Sequence, residues 1–380
     1  METDTEPEPT ASIPRTPPLR DAVDSAIAYL RRCALGGAAP PALLTLDPRF
    51  ERAFPAPQAR EALREHLGAD PGFDLTEEAF SSMLSLVLLL PPATPAERDL
   101  VAQCAAHVDQ CRWRRRYRFF RGANGFPADT DCTAIAAGAL HEHGLLSDPD
   151  FERAKTELFA AAASAEQEHA HDVPARDAEI HPGVFMVYWE DGAEPGTERR
   201  GRKHDAVACA NALYTVHLGD ARRTADARSV ITATTRYLRD ILSSRRYLAG
   251  TRYYPNPDVL LYAISRFCAR FPQTPSAATL TPALRLAFHD LDAAAPARAL
   301  AAETGSAMST ALRTLTAEHL DITGGQAERR TRLHRAQQPD GSWPACPYYR
   351  MGRFPLYFGS PYLTTLFAMR ALRPREQADP

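Results

Sequence analysis

Lysine is almost absent from this sequence of 380 residues. Only Lys155 and Lys203 are lysine, and the remaining 42 of the 44 basic residues are arginine. We attribute this bias to GC-rich coding DNA, which is typical of some bacteria, and not to a mechanism. The formal net charge is −3 and the pI is about 6.5. The sequence therefore gives no sign of a surface that binds nucleic acid or anionic lipid.

Paired cysteines and long apolar runs are also lacking. None of the seven cysteines forms a Cys-x-x-Cys pair, so neither a zinc site nor a disulfide framework is indicated. We interpret them as free thiols in a reducing cytosol. The most apolar run, 83–90, is too short to span a bilayer and predicts a buried helix rather than a membrane anchor. Residues 1–20 are acidic and proline-rich without an apolar signal core, which predicts a disordered leader.

Helical patterns dominate the chain, and strand-like alternation is scarce after residue 20. Apolar helices are predicted to begin near residues 75, 129, 205, 256, 306 and 359, at intervals of 54, 76, 51, 50 and 53 residues. More polar amphipathic helices are predicted at 57–67, 95–113, 150–164, 222–243, 282–298 and 322–338. A repeat of one apolar and one amphipathic helix predicts an all-α fold, a single (α/α)6 toroid of six helical hairpins. Because no repeat buries its apolar face alone, we expect residues 21–375 to form one domain.

The one long interval contains a polar, charged segment at 165–203. We expect it to be an inserted loop over one mouth of the barrel, with a short strand at 184–189. Parallel inner helices would place all their N-termini at the same end. We therefore expect polar side chains at those starts, among them Asp129, Asp205 and Asn256, to converge on one cavity.

The sharpest motif lies in the segment 126–134, which reads Phe-Pro-Ala-Asp-Thr-Asp-Cys-Thr-Ala. It resembles the class II terpene cyclases, in which squalene–hopene enzymes carry Asp-x-Asp-Asp-Thr-Ala and oxidosqualene enzymes carry Asp-Cys-Thr-Ala. The resemblance implies that Asp131 is the proton donor. It also implies that Asp129 assists this acid and that Cys132 forms a hydrogen bond with it.

General chemistry is consistent with an acid at this position. An alkene is a very weak base, so its protonation needs a strong acid that stays neutral in a dry site. Burial keeps the proton on a carboxyl group, while a helix N-terminus stabilises the anion that remains after transfer. The residues alone also allow a simpler interpretation, in which Asp129 is an N-cap and Asp131 is a first-turn carboxylate.

A second block, 333–343 (LHRAQQPDGSW), is similar to the later part of the Gln–Trp repeat of the same family. The earlier glycine and aromatic residue of that repeat are missing. The resemblance implies that Gln337 and Trp343 connect the end of an outer helix to the next inner helix, and for Gln337 we favour this structural role. The last block, 359–372, resembles the final inner helix of these cyclases, including its Thr-Thr pair.

The chain has room for only one α-barrel, whereas the full enzymes have two. It is therefore most similar to the monodomain cyclases that act on meroterpenoids and short prenyl chains. Membrane docking and substrate entry are not carried over from the full enzymes. Peripheral contact with a membrane and the oligomeric state stay open.

A carbocation needs an aromatic wall that stabilises charge without capturing it. The candidates near helix starts are Trp343, Trp189, Tyr254, Tyr349, Tyr357 and Phe358, with Tyr188, Tyr253, Tyr348 and Tyr362 as further members. Each of them can equally be a packing residue. Asp205 is interpreted as a partner of the acid, as a terminating base or as a helix cap. Asn211, two turns deeper, is either part of the site or a satisfied buried amide.

Basic residues cluster in the long loop at Arg199, Arg200, Arg202 and Lys203. They either clamp a diphosphate head group or belong to a solvated loop. No Asp-Asp-x-x-Asp is present, and Asp240 has no second aspartate beside it, so chemistry that starts by ionising a diphosphate is not favoured. We expect no redox cofactor, and magnesium only if the substrate carries a diphosphate.

The favoured function is protonation-initiated cyclisation of a linear terpenoid or prenylated aromatic compound, an isomerisation with Asp131 as the Brønsted acid. One rival is a toroid like the protein-prenyltransferase β subunit. That family holds zinc with Asp, Cys and His and has an Asp-x-Cys element. The second is a non-catalytic toroid that binds an isoprenoid or a partner. A third is a carbohydrate enzyme that uses Asp131 and Asp205 as acid and base.

Overall fold

A computed structural model describes most of the chain. The described residues are 19–34, 40–68, 70, 75, 77–121, 125–163, 180–197, 200–219, 224–301, 306–352 and 354–373, with the side chains of 294–301 left aside. Most of the predicted leader and the first part of the predicted loop at 165–203 lie outside these residues.

Helices account for most of the described structure. They are α1 (Leu19–Ala34), α2 (Ala59–Leu67), α3 (Phe80–Leu88), α4 (Pro95–Gln110), α5 (Thr130–Glu142), α6 (Asp148–Ala160), α7 (Ala206–His217), α8 (Ala225–Ser243), α9 (Pro257–Arg270), α10 (Pro275–Ala301), α11 (Ala307–His319), α12 (Gln326–Arg335) and α13 (Pro361–Leu372). The strands are short: β1 (Leu43–Thr45), β2 (Phe54–Pro55), β3 (Arg112–Trp113), β4 (Arg116–Tyr117), β5 (Pro347–Arg350) and β6 (Tyr357–Gly359). The predicted all-α class is confirmed.

Six apolar helices form the inner ring. Helices α3, α5, α7, α9, α11 and α13 each pack against the next, and α13 packs against α3, so the ring is closed. Their side chains are almost entirely buried, and in α7 every residue is buried. A helix that is apolar all round is stable only when protein surrounds it on every side, which explains why these segments lie innermost.

More polar helices pack outside this ring. Helices α4, α6, α8, α10 and α12 lie there as predicted, but the predicted outer helix at 57–67 does not take the sixth place. That place belongs to α1, which packs against α13 and α4. The apolar stripe of α1, Ala22, Ala26, Ile27 and Leu30, is buried and explains this packing. Helix α2 contacts mainly the short 3-10 turn before it.

Short polar side chains begin the inner helices close to the predicted positions. The N-cap residues of α5, α7, α9, α11 and α13 are Asp129, Asp205, Asn256, Ser306 and Ser360. Each accepts a hydrogen bond from a backbone N–H of the first turn, which would otherwise lack a partner. The start of α3 differs: it lies at Phe80, later than predicted.

The starts of neighbouring inner helices are in contact. Asn256 Nδ2, at the start of α9, donates to Ser309 Oγ in the first turn of α11 at 2.8 Å. Tyr253 N, just before α9, donates to Asp205 Oδ2 at the start of α7 at 3.1 Å. The N-termini of these helices therefore lie at one end of the ring, as expected.

A small antiparallel sheet, which the sequence did not predict, covers part of this end. Its strand order is β2-β1-β6-β5, and Leu44 of β1 lies opposite Phe358 of β6. The segment 184–189 is not a strand and forms only one bridge, between Phe185 and Ala162. Its carbonyl groups bond instead to the start of α5, where Thr130 N donates to Val187 O at 2.8 Å. In the part of the chain that the structure describes, no helix has the length and hydropathy needed to cross a membrane.

Candidate active site

A cavity lies at the end of the ring where the inner helices begin. It contains about 520 Å³ of empty space, part of it open to solvent. Its wall is largely aromatic and includes Phe80, Phe119, Phe120, Phe126, Tyr188, Tyr253, Tyr254, Tyr349 and Phe358. The polar groups in this wall are Asp129, Asp131, Cys132 and Arg350. An apolar cavity with a few convergent polar groups is the usual form of a small-molecule site.

Asp131 lies in the first turn of α5 with both carboxylate oxygens in hydrogen bonds. Asn211 Nδ2 donates to Oδ1 at 2.8 Å, and the Tyr254 hydroxyl donates to Oδ2. Burial raises the pKa of Asp131 to about 6, although the hydrogen bonds from Tyr254 and Asn211 act in the opposite direction. The carboxyl group is therefore easier to keep protonated than an exposed one, and its anion has two donors ready.

Asp129 is the N-cap of α5 and also lines the cavity. Its Oδ1 accepts a hydrogen bond from Cys132 N at 2.8 Å. Burial, and then the neighbouring charge of Asp131, raise the pKa of Asp129 to about 7. The two carboxyl groups therefore oppose each other's ionisation. The thiol of Cys132 also bonds to Asp129, so the cysteine contacts the cap and not the carboxylate of Asp131.

Asp205 lies behind the cavity wall and not in it. It caps α7 by accepting from Val207 N at 2.9 Å, and its second oxygen accepts from Tyr253 N at 3.1 Å. This second bond fixes the turn that carries Tyr254 to the start of α7. Burial raises the pKa of Asp205. Its geometry fits a group that positions the partner of Asp131 and does not place it against a substrate.

Known protein structures share the fold of this chain. No protein-family model and no curated protein sequence matches the chain. Among solved structures, a variant of the type II terpene cyclase MstE from Scytonema, in complex with its substrate geranylgeranyl dihydroxybenzoate, aligns over 93% of this chain and 96% of that chain, with a TM-score of 0.59 and 12% identity. The apo form of MstE aligns over 93% and 97%, with a TM-score of 0.57 and 10% identity. This chain has the fold of type II terpene cyclases.

A third match gives the same coverage. A protein from Actinoplanes aligns over 93% of this chain and 98% of that chain, with a TM-score of 0.60 and 16% identity. The resemblance to class II terpene cyclases is therefore confirmed at the level of the fold. The single helical ring of this chain accounts for the resemblance, because MstE is matched over almost its whole chain.

Half of the predicted aromatic wall lies in the cavity of this cyclase fold. Tyr254, Tyr349 and Phe358 line it, whereas Tyr357 does not. Successive residues of a strand point to opposite faces of the sheet, so Phe358 and Tyr357 of β6 cannot both face the cavity.

The two predicted tryptophans lie outside the cavity lining. Trp343 is fully buried, where its Nε1 donates to Leu333 O at 2.7 Å and its backbone N–H donates to Thr365 Oγ1 at 3.0 Å. It therefore joins α12 to α13. Trp189 donates from Nε1 to Glu157 O at 2.9 Å, under the guanidinium of Arg116. Each indole uses its N–H donor on the backbone of a neighbouring element.

Four phenylalanines complete the wall and were not among the predicted site residues. Phe119 lies in the middle, with its ring centroid 4.7 Å from that of Phe120, 4.9 Å from that of Tyr349 and 5.6 Å from that of Phe80. Phe126 stands edge-on to Phe120 at 5.3 Å. The sequence signal for them is the Phe-Phe pair shortly before the aspartate motif, which does not lie at a helix start.

Basic side chains lie beside the aromatic wall. The guanidinium of Arg200 lies 4.6 Å from the centre of the Phe126 ring, and Lys203 Nζ lies 5.4 Å from that of Tyr188. Arg350, which was not among the predicted site residues, lines the cavity itself, and its Nε donates to Arg252 O at 2.8 Å. Arg199 lies outside the described residues. Positive charge is therefore available at one side of the cavity.

The Gln–Trp element has the structural role that the sequence predicts. Gln337 Nε2 donates to Ala22 O at 2.8 Å and to Gly341 O at 3.0 Å, which connects the end of α12 to α1. The connection reaches an outer helix and not only the next inner one.

The zinc-dependent rival depends on an Asp-x-Cys element, and the sequence contains one, Asp109 to Cys111. The Asp109 side chain is 72% exposed, whereas Cys111 is fully buried, so the two groups are not arranged as a ligand pair. Within the described ranges, no group of three or more His, Cys, Asp or Glu side chains is placed to hold a metal ion.

Proposed function

We propose that this protein cyclises a linear prenylated aromatic compound by proton transfer from Asp131. The observation that carries the proposal is a buried aspartic acid, with a raised pKa and two hydrogen-bond donors, in the wall of an aromatic cavity. The fold supports it, because MstE has been crystallised in this fold with geranylgeranyl dihydroxybenzoate.

In the proposed reaction the Asp131 proton forms a new C–H bond at an alkene carbon while the π bond breaks. The carbocation is attacked by the next alkene, and loss of a proton at the end makes the product an isomer of the substrate. The reaction is redox-neutral, and the acid is a residue of the chain. After transfer, Asn211 and Tyr254 stabilise the carboxylate, and the positive end of the α5 dipole adds to this effect.

The aromatic wall has a defined part in this reaction. The faces of aromatic rings stabilise a nearby cation by about 0.5–2 kcal/mol each and offer no lone pair that would capture it as strongly as water does. Phe119, Tyr349 and Phe80 lie together in this wall. We propose that they surround the prenyl chain while the charge moves along it.

The cations at the side of the cavity suggest the head group. Arg350 lines the cavity, and Arg200 and Lys203 lie against aromatic rings of its wall. We propose that they bind an anionic head group, a carboxylate or a diphosphate, and so fix which end of the chain meets Asp131. The substrate class is then a polyprenyl chain with an acidic head group, which is aromatic when the anion is a carboxylate.

The test uses the purified chain with geranylgeranyl dihydroxybenzoate and with linear C15 to C30 polyprenyl compounds that lack the aromatic acid. In D2O the cyclic product should carry one deuterium, which mass spectrometry detects as a gain of one mass unit. Asp131→Asn keeps the shape but has no acidic proton, so kcat should fall by about a thousandfold or more.

Asp129→Asn is the matched control. Asparagine is as good an N-cap as aspartate, so this variant should keep the helix start and lose much less activity. If Asp131→Asn turns over at the wild-type rate while Asp129→Asn does not, Asp129 is the acid. If neither variant affects turnover, the proton comes from elsewhere and the proposal is wrong.

A further inference from the structure

A second cavity lies at the opposite end of the ring, where the inner helices finish. It contains about 840 Å³ of empty space, open to solvent, and its lining includes Glu142, Tyr214, Arg266, Arg270 and Arg370. These residues belong to the last turns of α5, α7, α9 and α13 or lie close to them. No step of the proposed reaction takes place there.

One side chain of this second cavity reaches toward the acid. Arg266 Nη2 donates to Asn211 Oδ1 at 3.2 Å, and Asn211 Nδ2 donates to Asp131 Oδ1 at 2.8 Å. The guanidinium is half-buried and lies 4.2 Å from the centre of the Tyr214 ring, and the Tyr214 hydroxyl donates to Glu142 at 3.0 Å. A continuous chain of contacts therefore joins the far mouth of the barrel to Asp131.

The direction of these hydrogen bonds is determined by chemistry. A guanidinium has five N–H donors and no acceptor, so only the carbonyl oxygen of Asn211 can face Arg266. The amide NH2 must then face Asp131, which removes the usual uncertainty about how an asparagine is oriented. Asp131 Oδ1 is therefore always an acceptor. The acidic proton is left to Oδ2, the oxygen beside the Tyr254 hydroxyl.

We propose that Arg266 is a positioning residue for Asp131. It orients Asp131 through Asn211 and makes it a stronger acid. Arg266 acts from the end of the ring opposite the substrate. This inference rests on the proposed function. The guanidinium fixes the amide, and the amide fixes which oxygen of Asp131 carries the proton. The positive charge of the guanidinium also favours the carboxylate left after proton transfer.

The charged and titratable groups around Asp131 agree with this role. Those that interact with it from the packed elements are Asp129, Cys132, Asp205, Cys209, Tyr254, Tyr348 and Arg266. Arg266 is the cation in this set, and it lowers the pKa of Asp131, whereas the charge of Asp205 raises it. Loss of Arg266 should therefore leave a more weakly acidic Asp131.

The test first measures the acid without any substrate. The full chain is labelled with 13C at the aspartate carboxyl carbons, Asp131 is assigned by comparison with Asp131→Asn, and its titration is followed by NMR. Arg266→Met should raise the titration midpoint of Asp131 by about one pH unit. Arg266→Lys keeps a positive donor and should shift the midpoint by less than half as much. Arg270→Met is the matched control, because Arg270 is one turn further along α9 and pairs with Glu142.

The second readout is turnover of geranylgeranyl dihydroxybenzoate. On the low-pH plateau, where Asp131 is protonated in both proteins, kcat of Arg266→Met should fall by up to about tenfold at unchanged KM. The loss of activity at high pH should begin about one pH unit later than in the wild type. A merely structural role would change neither the pH profile nor the NMR midpoint.

An unchanged midpoint in Arg266→Met, or an equal shift in Arg270→Met, would overturn the inference. If Arg266→Met does not fold, Arg266→Lys is compared with Asn211→Leu. An Asp131 titration midpoint that is shifted equally far in both variants would also overturn the inference. Absence of turnover in the wild type, together with the expected midpoint shifts, would refute the proposed function and leave the relay from Arg266 to Asp131 standing.

Discussion

At the scale of single residues, Asp131 experiences two opposed influences. Burial favours its neutral form, while Asn211 and Tyr254 donate to its oxygens and favour the anion. An acid that is only buried would hold its proton too tightly, and one that is only hydrogen-bonded would lose it to water. Both influences together give a carboxyl group that keeps its proton up to about pH 6 and has two donors ready for its anion.

The raised pKa of Asp131 has a measurable consequence for stability. Between about pH 4, where an unfolded aspartate ionises, and about pH 6, the folded state keeps a proton that the unfolded state has released. Wild-type stability should therefore fall as the pH rises through this window, by on the order of 3 kcal/mol from this group. Asp131→Asn lacks this loss. In urea unfolding, the free energy of unfolding of the variant minus that of the wild type should therefore be larger at pH 7 than at pH 4.

Asp150→Asn provides a control of opposite sign. Hydrogen bonds from Ser147 and Arg153 lower the pKa of Asp150, so its contribution is present at high pH and lost as the pH falls. The free energy of unfolding of the wild type should therefore increase relative to that of this variant as the pH rises. If the difference between Asp131→Asn and the wild type is the same at pH 4 and pH 7, the carboxyl group does not keep its proton in the folded state.

The sequence predicts Asp129, Asp131 and Tyr254 as site residues because helix starts are local signals. It predicts neither the contact of Asn211 with Asp131 nor that of Arg266 with Asn211. Those contacts join helices 80 and 55 residues apart, and they depend on the relative rotation of three helices. No local pattern encodes that rotation.

At the scale of elements, the inner helices are the best predicted because their apolar sequences and caps agree. The prediction of the outer helix of the first hairpin is wrong, because two segments, 19–34 and 59–67, both have amphipathic patterns. The structure selects α1, which contacts α13 and α4. Which amphipathic helix completes a ring depends on the position of the last helix, so it cannot be deduced from the first 70 residues.

The Gln–Trp element should contribute to stability and not to product choice. Trp343→Ala removes a fully buried indole and should destabilise the fold by about 3–5 kcal/mol in urea unfolding. Trp343→Phe keeps a ring but loses the hydrogen bond to Leu333 O, so it should cost less and leave the product profile unchanged.

Trp113→Ala is the comparison for this prediction. Trp113 lies in β3 and not in an outer helix, because α4 ends at Gln110, and its side chain is partly exposed under Arg114. Its loss should cost clearly less than the loss of Trp343. A Trp343→Phe variant with native stability and altered products would place that indole near the carbocation, against the structure.

At the scale of the whole molecule, the closed ring predicts cooperative unfolding. Each inner helix packs against two others, and α13 closes the ring on α3, so no hairpin has a core of its own. Far-UV circular dichroism should show a mostly helical protein with one thermal transition, at the same temperature as the transition in aromatic near-UV signal. Two separated transitions would contradict the prediction that residues 21–375 form one domain.

The repeat length predicts the six-hairpin barrel, but it does not predict the sheet. Its strands have two to four residues, too short for a visible alternation, and β1 pairs with β6 across more than 300 residues. Long-range pairing of such short segments depends on the barrel that brings them together. The sequence therefore predicts the scaffold better than the cover of the cavity.

The closure of the ring also affects when the chain can fold on the ribosome. Helices α1 and α3 are synthesised well before α13, yet both pack against it. The apolar surface of α3 therefore lacks this neighbour until the residues between the two helices and α13 itself have been translated. Nascent chains of this kind expose aggregation-prone surface for a long time. Their yield in cells should depend on chaperone supply and translation rate more strongly than that of proteins whose hairpins fold one by one.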